Sequence, residues 1–278
     1  MELSVLVDNN TIIDKYLLGE AGLSYYIKEN GKTILFDVGY SDILIRNADR
    51  LNLDLNEVDY IVLSHGHLDH TGGLEPLIKY YYETKENGTE NYPEIIAHPD
   101  CFKEKFYKDS TSIGINLSKK LLNKLFVINE YDKPYWITDK LVYLGQIERN
   151  NEFEAQKPLG YQKDIKEENR DYILDDTALA YISKNGLVII TGCSHSGICN
   201  IVEQVKRVTG VDNVVDLIGG LHLMEPAAVK LGKTKQYIKE LNLEKLHACH
   251  CTDLKSKIEL SKIANLKEVG VGMKFKYE

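Results

Sequence analysis

The feature that most constrains this chain is a cluster of three histidines and one aspartate directly after a short hydrophobic strand. The predicted strand at 59–63 leads into the sequence Ser64-His65-Gly66-His67-Leu68-Asp69-His70-Thr71-Gly72-Gly73. Imidazole nitrogens and carboxylate oxygens are the usual protein ligands of zinc, iron and manganese, and close spacing in one loop lets them converge on one or two ions. The cluster therefore predicts a metal centre on a loop at the end of a strand.

The order of predicted elements indicates an α/β fold. In the first third, hydrophobic periodicity predicts strands at 3–7, 23–28, 33–38, 58–64 and 94–98, with helices at 43–51 and 74–83. In the last third it predicts a hairpin of strands 177–183 and 187–191, helices at 198–208, 226–241 and 256–264, and strands at 214–218, 245–250 and 271–276. Each half has strands followed by helices, which predicts two sheets packed face to face with helices outside. We expect a four-layer αββα sandwich whose site lies along one shared edge.

The middle of the chain departs from this pattern. It contains a predicted helix at 117–126, a predicted strand at 141–147 and a polar, charged run at 150–170, part of which we expect to be a solvated loop. Because no linker-like stretch divides the 278 residues, we expect one domain over 1–278 with an insertion at about 100–175.

Composition narrows the class of protein. The formal net charge of −8 argues against a nucleic-acid surface, which depends on clustered Lys and Arg. No run approaches the roughly 18 apolar residues that cross a bilayer, and the first residues lack the pattern of a signal peptide. Five cysteines, of which Cys193, Cys249 and Cys251 lie beside histidines, fit reduced thiols or metal binding better than disulfides. We therefore expect a cytoplasmic protein without a membrane or nucleic-acid partner.

The cluster also carries a family resemblance. His65 to His70, followed by Thr-Gly-Gly, resembles the His-x-His-x-Asp-His signature of the metallo-β-lactamase superfamily. The predicted strand with the ending Phe36-Asp37-Val38-Gly39 is similar to the strand before that signature, which ends in Asp-x-Gly. The resemblance implies an αββα fold with two divalent metal ions. Zinc is the expected metal, and iron or manganese is also compatible. It implies that His65 and His67 hold one ion, that Asp69 and His70 hold the second, and that Asp37 orients a ligand.

The remaining ligands have to come from three later segments, at 191–197, 219–223 and 247–252. Where the family commonly has Thr-Gly-Asp, this chain has Thr-Gly-Cys193. Either Cys193 binds as a thiolate, or His195 binds and Cys193 packs behind it; we favour His195. His250 resembles the closing histidine of the family, and His222 is expected to be a catalytic, substrate-contacting residue, with a ligand role left open. Asp176 is a further candidate contributor.

Other arrangements of the same residue types are also possible. Strand alternation would place His250 on the opposite face from Cys249 and Cys251. His98 and His247 have no such context and are expected to be structural. A structural zinc site would need closed tetrahedral spacing, which the cysteines do not show in the sequence. The candidates for that site are Cys193, Cys199, Cys249 and Cys251.

The expected activity is hydrolysis of a phosphate ester or phosphodiester by a metal-bound hydroxide, with Asp69 both binding a metal and orienting the nucleophile. The segments that contain His195, His222 and His250 resemble those of a subgroup described as dihydropterin-methyl-ribofuranosylaminobenzene phosphate synthase-like. That resemblance implies an alternative: a synthase acting on a pterin and a phosphorylated ribosyl compound, with the metal as Lewis acid. A di-iron redox protein is a third possibility. We expect a small, phosphorylated substrate, and a homodimer is compatible with the sequence.

Overall fold

The computed structural model describes residues 1–84, 92–107, 111–163 and 168–278, which contain sixteen strands and seven α-helices. The helices are α1 Ile43–Arg50, α2 Leu68–Thr71, α3 Leu74–Thr84, α4 Lys119–Leu122, α5 Ile198–Thr209, α6 Ala228–Leu241 and α7 Leu254–Ser261. The strands are β1 Glu2–Val7, β2 Ser24–Glu29, β3 Lys32–Phe36, β4 Tyr60–Val62, β5 Glu94–Ala97, β6 Glu104–Phe106, β7 Ile128–Glu130, β8 Tyr135–Trp136, β9 Leu141–Tyr143, β10 Gly160–Lys163, β11 Glu168–Asp171, β12 Ala178–Ser183, β13 Gly186–Thr191, β14 Val214–Gly220, β15 Lys245–Cys249 and β16 Lys274–Lys276. No helix within these ranges is long and apolar enough to span a bilayer.

Two mixed sheets form the centre of the protein. The first has the order β16-β1-β2-β3-β4-β5-β7, and the second has the order β15-β14-β13-β12-β9-β8. In the first sheet β3, β4, β5 and β7 run parallel, and in the second β13, β14 and β15 do so. Parallel strands end at the same edge of a sheet. The loops that follow β3, β4, β13, β14 and β15 therefore meet at one edge of the molecule.

Three groups of buried apolar side chains define the layers. One group lies between the sheets and includes Ile27 and Ile34 from the first sheet and Val188 and Ile190 from the second. A second group covers the outer face of the first sheet beneath α1 and α3, and a third covers the outer face of the second sheet beneath α5, α6 and α7. Burying each large apolar side chain contributes about 1.5–3 kcal/mol. The predicted four-layer αββα sandwich is confirmed.

Helix α5 shows how the sequence sets one of these layers. Its buried residues Ile198, Ile201, Val202 and Val205 follow the spacing of one helix face, and that face packs on the second sheet. The helix ends where Gly210 adopts a left-handed conformation with φ of +69°. Glycine adopts this conformation without steric cost, so the sequence fixes this end of the helix.

The stretch predicted as an insertion at 100–175 is divided between different parts of the fold. Strand β7 extends the first sheet and β8 and β9 extend the second, whereas β6, β10 and β11 form a separate three-stranded sheet, which we call the small sheet. The predicted helix at 117–126 was wrong in length, because α4 has only four residues, of which only Leu122 is buried. The expected solvated loop contains residues of β10 and β11, and positions 164–167 lie outside the described residues.

Candidate metal centre

The predicted site residues lie where parallel strands end. Asp37 follows β3, the segment from His65 to His70 follows β4 and includes α2, and three later loops follow β13, β14 and β15. These later loops supply Cys193 and His195, His222, and His250, respectively. Because both sheets present these ends at one edge, side chains from five separate loops lie close together.

Three histidines form one group of potential ligands, which we call the three-histidine group. His65 Nε2 lies 3.0 Å from His67 Nδ1, and the His195 ring lies 4.8 Å from the rings of both. One ring nitrogen of each falls within 4.8 Å of the others. Burial lowers the pKa of His65 and His195 well below the usual value and lowers that of His67 to about 4. At neutral pH this group therefore presents neutral imidazoles with lone pairs available for a metal.

Asp69, His70, Cys193 and His250 form a second group, which we call the acid–thiol group. His70 Nε2 lies 3.1 Å from His250 Nε2 and 3.2 Å from Cys193 Sγ, and Asp69 Oδ2 lies 3.6 Å and 3.5 Å from the two histidine nitrogens. Burial acts to lower the pKa of His70, but the Asp69 and Asp37 carboxylates outweigh it and raise that pKa to about 9. Burial likewise acts to raise the pKa of Asp69, but His70 and His250 hold it well below its usual value.

Hydrogen bonds to the far side of these rings show which nitrogens face the group. His70 Nδ1 lies 2.6 Å from Asp37 Oδ2, and His250 Nδ1 lies 3.1 Å from Asn9 Oδ1. Since a carboxylate or amide oxygen can only accept, each Nδ1 carries a hydrogen, so Nε2 of each ring faces the group and can offer a lone pair once it is deprotonated. His70 Nε2 lies 3.1 Å from His250 Nε2, a spacing at which either a proton or a metal ion can lie between the two nitrogens. The residues present therefore fit a divalent ion.

His65 is oriented by the same carboxylate through a serine. Ser64 Oγ donates to Asp37 Oδ2 at 2.7 Å and lies 2.9 Å from His65 Nδ1, which can donate to it. This leaves the lone pair of His65 Nε2 directed at His67. Buried His195 Nε2 has no hydrogen-bond partner among the residues that the structure describes. Buried polar atoms are nearly always paired, so an unpaired imidazole nitrogen beside two others fits a metal ligand.

The loops that carry the candidate site residues have unusual backbone conformations. Asp37, Ser194, His222 and His250 all have left-handed backbones, with φ between +49° and +61°. Such a conformation costs about 1–3 kcal/mol for a residue with a side chain and persists only where surrounding contacts enforce it. At His250 one such contact is a hydrogen bond of 3.2 Å from its backbone N to Asp8 Oδ2.

An open cavity of about 690 Å³ lies above both groups. Its walls are largely apolar, and among its lining residues that the structure describes none is Lys or Arg. The apolar part of the wall includes Tyr40, Leu68, Tyr107, Ile113, Leu159 and Met224, and His222 also lines the cavity. The arrangement can therefore present two metal ions to a substrate that enters between apolar surfaces.

The structure brings both Cys193 and His195 to the centre and places them in different groups, and the choice of His195 as a metal ligand stays a prediction. His222 lies outside both groups, with its ring 4.2 Å from that of His195 and its Nδ1 buried without a hydrogen-bond partner in the described residues. Asp176 also lies outside them: its Oδ2 accepts a hydrogen bond of 2.8 Å from Ser196 N, and burial raises its pKa to about 6.

The expected structural histidines have other partners. His98 Nδ1 accepts a hydrogen bond from Asp100 N, and His247 Nδ1 lies 2.8 Å from Asp216 Oδ1. The alternative site of four cysteines does not assemble, since Cys199 packs in the core under α5 and Cys249 in the core between the sheets.

The prediction from strand alternation was wrong at the end of β15. That strand ends at Cys249, and His250 then turns into a left-handed conformation. Alternation no longer applies once the chain leaves the sheet. As a result, His250 and Cys251 both line the cavity, whereas Cys249 points between the sheets.

Sequence reasoning missed several supporting residues. Asp8 and Asn9 lie at the end of β1 and contact His250, Asp175 accepts a hydrogen bond from Gly66 N, and Lys105 contacts Asp175. No local pattern marks them, because each acts on a residue at least 70 positions away in the chain.

Fold and site together define an αββα sandwich protein with a candidate metal centre at one edge. The model of the family described as "Metallo-beta-lactamase superfamily" matches residues 18–199, more than half of the chain. The chain belongs to this superfamily.

Related proteins are similar to this chain over most or nearly all of its length. An uncharacterized protein of Methanocaldococcus jannaschii is 35% identical over 97% of this chain and 98% of its own length. The 7,8-dihydropterin-6-methyl-4-(beta-D-ribofuranosyl)-aminobenzene-5'-phosphate synthase of the same organism is 32% identical over 84% of this chain and 82% of its own length. The crystal structure of Tm1679, a metal-dependent hydrolase of the β-lactamase superfamily, covers 99% of this chain and 98% of its own with a TM-score of 0.83 and 24% identity. That likeness shows the fold.

Proposed function

We propose that this protein is a hydrolase that cleaves a phosphate ester or phosphodiester with two divalent metal ions, zinc first. The observation that carries the proposal is the position of two ligand groups side by side at the floor of one open cavity. Two adjacent ions suit a phosphoryl centre because one can act on the attacking oxygen and the other on the leaving oxygen.

The three-histidine group would hold one ion and the acid–thiol group the other. Divalent ions in such sites lower the pKa of bound water to near neutrality and polarise phosphoryl oxygens. The half-exposed Asp69 carboxylate faces the cavity, so it can also accept a hydrogen bond from an attacking water and orient it. Asp37 and Asn9 keep the hydrogens of His70 and His250 on the nitrogens that face away from the ion.

His222 is the residue that we assign to the substrate. It lines the cavity, is not part of either ligand group, and has a buried Nδ1 without a partner among the described residues. An imidazole in this position can donate a hydrogen bond to a phosphoryl oxygen or a proton to a leaving group. Since the described lining residues include no Lys or Arg, the charge of a phosphate has to be balanced by the ions and by such donors.

The test is elemental analysis of the purified full-length protein together with hydrolysis of a bis-nitrophenyl phosphodiester after loading with zinc, manganese or iron. We expect about two ions per chain and metal-dependent turnover, and we expect His67→Ala to lose both the ion at the three-histidine group and hydrolysis. A metal-free His67→Ala protein that still turns over would contradict the proposal, as would a wild-type chain that binds no metal under any loading.

The second candidate is a synthase, and two observations favour it. The relative from Methanocaldococcus jannaschii at 32% identity is a synthase, and the apolar walls with Tyr40 and Tyr107 suit a planar ring. In that case the ions act as Lewis acids on a substrate pair of a pterin and a phosphorylated ribosyl compound. Product analysis with such a pair separates the candidates: a coupled product supports the synthase, and release of phosphate or alcohol alone supports the hydrolase.

We also propose a small-molecule partner in the cytoplasm, with neither a nucleic acid nor a membrane as partner. The net charge of −8 disfavours a nucleic-acid surface, and all five cysteines are free and buried, which fits a reducing compartment.

A further inference from the structure

Lys105 is a fully buried cation beside the metal centre. Its Nζ lies 2.8 Å from Asp175 Oδ1 and 3.1 Å from Asp171 Oδ2, and both carboxylates are buried as well. Lysine is almost never fully buried unless it is paired. Desolvating three charges costs several kcal/mol per ion, and apolar residues of similar volume are often no less stable in such positions. The triad therefore requires an explanation other than stability.

Asp175 connects this triad to the turn that carries two of the ligands. Its Oδ2 accepts a hydrogen bond of 2.7 Å from the backbone N of Gly66, the residue between His65 and His67. Thr177 N donates to Ser64 O at 2.9 Å, so the segment after Asp175 runs along the same turn. At Gly66 a Cβ atom would lie 2.1 Å from Cys101 O and 3.1 Å from Lys105 Cε, so the turn is packed directly against Lys105.

The backbone around Lys105 also belongs to the cavity wall. Ile113 N donates to Lys105 O at 2.9 Å, and Leu68 N, in the metal-binding loop, donates to Ile113 O at 2.8 Å. His67 pairs with Gly114 in an isolated antiparallel bridge. Lys105 lies in β6 of the small sheet, and Tyr107 and Ile113 line the cavity. Lys105 thus joins the small sheet and the cavity wall through its backbone, and its side chain reaches the turn of His65 and His67 through Asp175.

Asp171 and Asp175 differ in one decisive contact. Asp171 Oδ1 accepts a hydrogen bond from Ile173 N, two residues further along its own segment, whereas Asp175 contacts the metal-binding turn. Both are buried carboxylates bonded to the same ammonium group. The chain therefore offers a matched pair of positions that share the ion pair but not the contact with the turn.

We propose that Lys105, acting through Asp175, is a positioning residue that fixes the turn of His65 and His67 for metal binding and links it to the wall of the substrate cavity. The inference rests on the proposed metal binding of the three-histidine group. It predicts that loss of Asp175 weakens that group selectively, because the acid–thiol group is oriented by Asp37 and Asn9 instead.

The test compares Asp175→Asn with Asp171→Asn in the full-length chain. Metal-depleted proteins are titrated with Zn²⁺ against a chromophoric chelator. In Asp175→Asn we expect one of the two zinc equivalents to bind about 10–100-fold more weakly, the range for residues that support a metal ligand. In Asp171→Asn we expect both affinities to stay within about threefold of wild type, since the contact with Gly66 is kept. Equal weakening in both variants, or none in Asp175→Asn, would overturn the inference.

A second variant keeps the test valid if a buried carboxylamide impairs folding. Lys105→Met combined with Asp171→Asn removes one positive and one negative charge, so the buried net charge is unchanged. We expect this double variant to show the same selective loss as Asp175→Asn, with a far-ultraviolet circular dichroism spectrum like that of wild type. A folded double variant with two wild-type zinc affinities would refute the role of Lys105.

Substitution with cobalt identifies which of the two groups binds its metal more weakly. With Co²⁺ in place of zinc, a thiolate-to-metal band in the near ultraviolet reports the Cys193 group. We expect Asp175→Asn to keep this band while one cobalt equivalent weakens, and loss of the band with retention of the other equivalent would contradict the selectivity. A wild-type chain that binds no zinc would overturn this inference and the proposed function together. Two bound zinc ions without hydrolysis would remove only the proposed function.

Discussion

The two ligand groups share one edge of the protein but differ in how they are built. The three-histidine group consists of neutral imidazoles whose pKa values are lowered by burial, and its turns are held by carboxylates that accept backbone N–H groups, as in the contact of Asp175 with Gly66. The acid–thiol group contains a carboxylate and a thiol, and its histidine rings are held directly by Asp37 and Asn9, in addition to the contact of His250 N with Asp8.

This difference shows that the two groups are held together in different ways, one by the placement of its backbone and the other by the attraction between its charges. A neutral group depends on the placement of its backbone, because uncharged rings do not attract one another. A charged group draws its members together and shifts their pKa values in opposite directions, as Asp69 and His70 do. The same edge of the fold can therefore present two sites of different charge to one substrate.

The largest effect on zinc binding should come from replacing a predicted ligand, His195. The matched control is His222, a neighbouring histidine outside both groups. We expect His195→Ala to weaken one zinc equivalent more than about hundredfold, beyond the cost of losing a supporting residue, and to reduce hydrolysis to background. We expect His222→Ala to keep both zinc equivalents and to lose about 10²-fold in kcat, in the range for acid–base catalysis. Zinc titration and kinetics with the same phosphodiester measure both. A His222→Ala protein that loses a zinc ion would make His222 a ligand.

The second-largest effect should come from lowering the pH, which we expect to weaken zinc binding at one group more than at the other. A metal at His70 must displace a proton below pH about 9, so we expect the zinc affinity of the acid–thiol group to fall at least tenfold per pH unit as pH decreases from 9 to 7. The thiol of Cys193, whose pKa is raised by burial, adds to this fall if it binds as a thiolate. The three-histidine group, with His67 at a pKa of about 4, should change little over that range. Zinc titrations at pH 7, 8 and 9 measure both affinities. The same dependence of zinc affinity on pH at both groups would contradict the prediction.

Asp37 is the residue that the two groups share, since it contacts both His70 and Ser64, which in turn contacts His65. We expect Asp37→Asn to weaken both zinc equivalents by about 10–100-fold, in contrast to the selective loss expected for Asp175→Asn. The measurement is the same chelator competition. Selective loss of only one equivalent would show that the Ser64 relay does not support His65.

The smallest effect should come from a histidine–aspartate pair outside the site. His247 and Asp216 are buried and hydrogen-bonded at 2.8 Å. We expect His247→Leu to lower the free energy of unfolding by about 1–3 kcal/mol, the cost of leaving a buried polar partner unsatisfied. Both zinc affinities should be unchanged. Urea denaturation of the metal-loaded protein gives the first value, and a changed zinc affinity would show that His247 reaches the centre.

The sequence by itself determined the arrangement of two packed sheets in four layers and most of the candidate ligands at their shared edge. The periodicity of α5 and the apolar strands before Asp37 and His65 are local patterns, and local patterns can be recognised in sequence. The ligands between His65 and His70 are also local, because they lie within one loop. The secondary structure within 100–175 was predicted less well, since short strands such as β10 and β11 are polar and depend on their partners in the small sheet.

Only the tertiary structure decided how the candidate ligands divide into two groups. Cys193 and His195 are two residues apart in sequence, yet they join different groups, and Ser194 between them has a left-handed backbone. The tertiary structure also places Asn9 in contact with His250, 241 residues away in the sequence, and Lys105 in contact with Asp175, 70 residues away. A lysine in a polar segment gives no sign of burial until two distant carboxylates surround it. Such contacts join distant parts of the chain, and local periodicity carries no information about them.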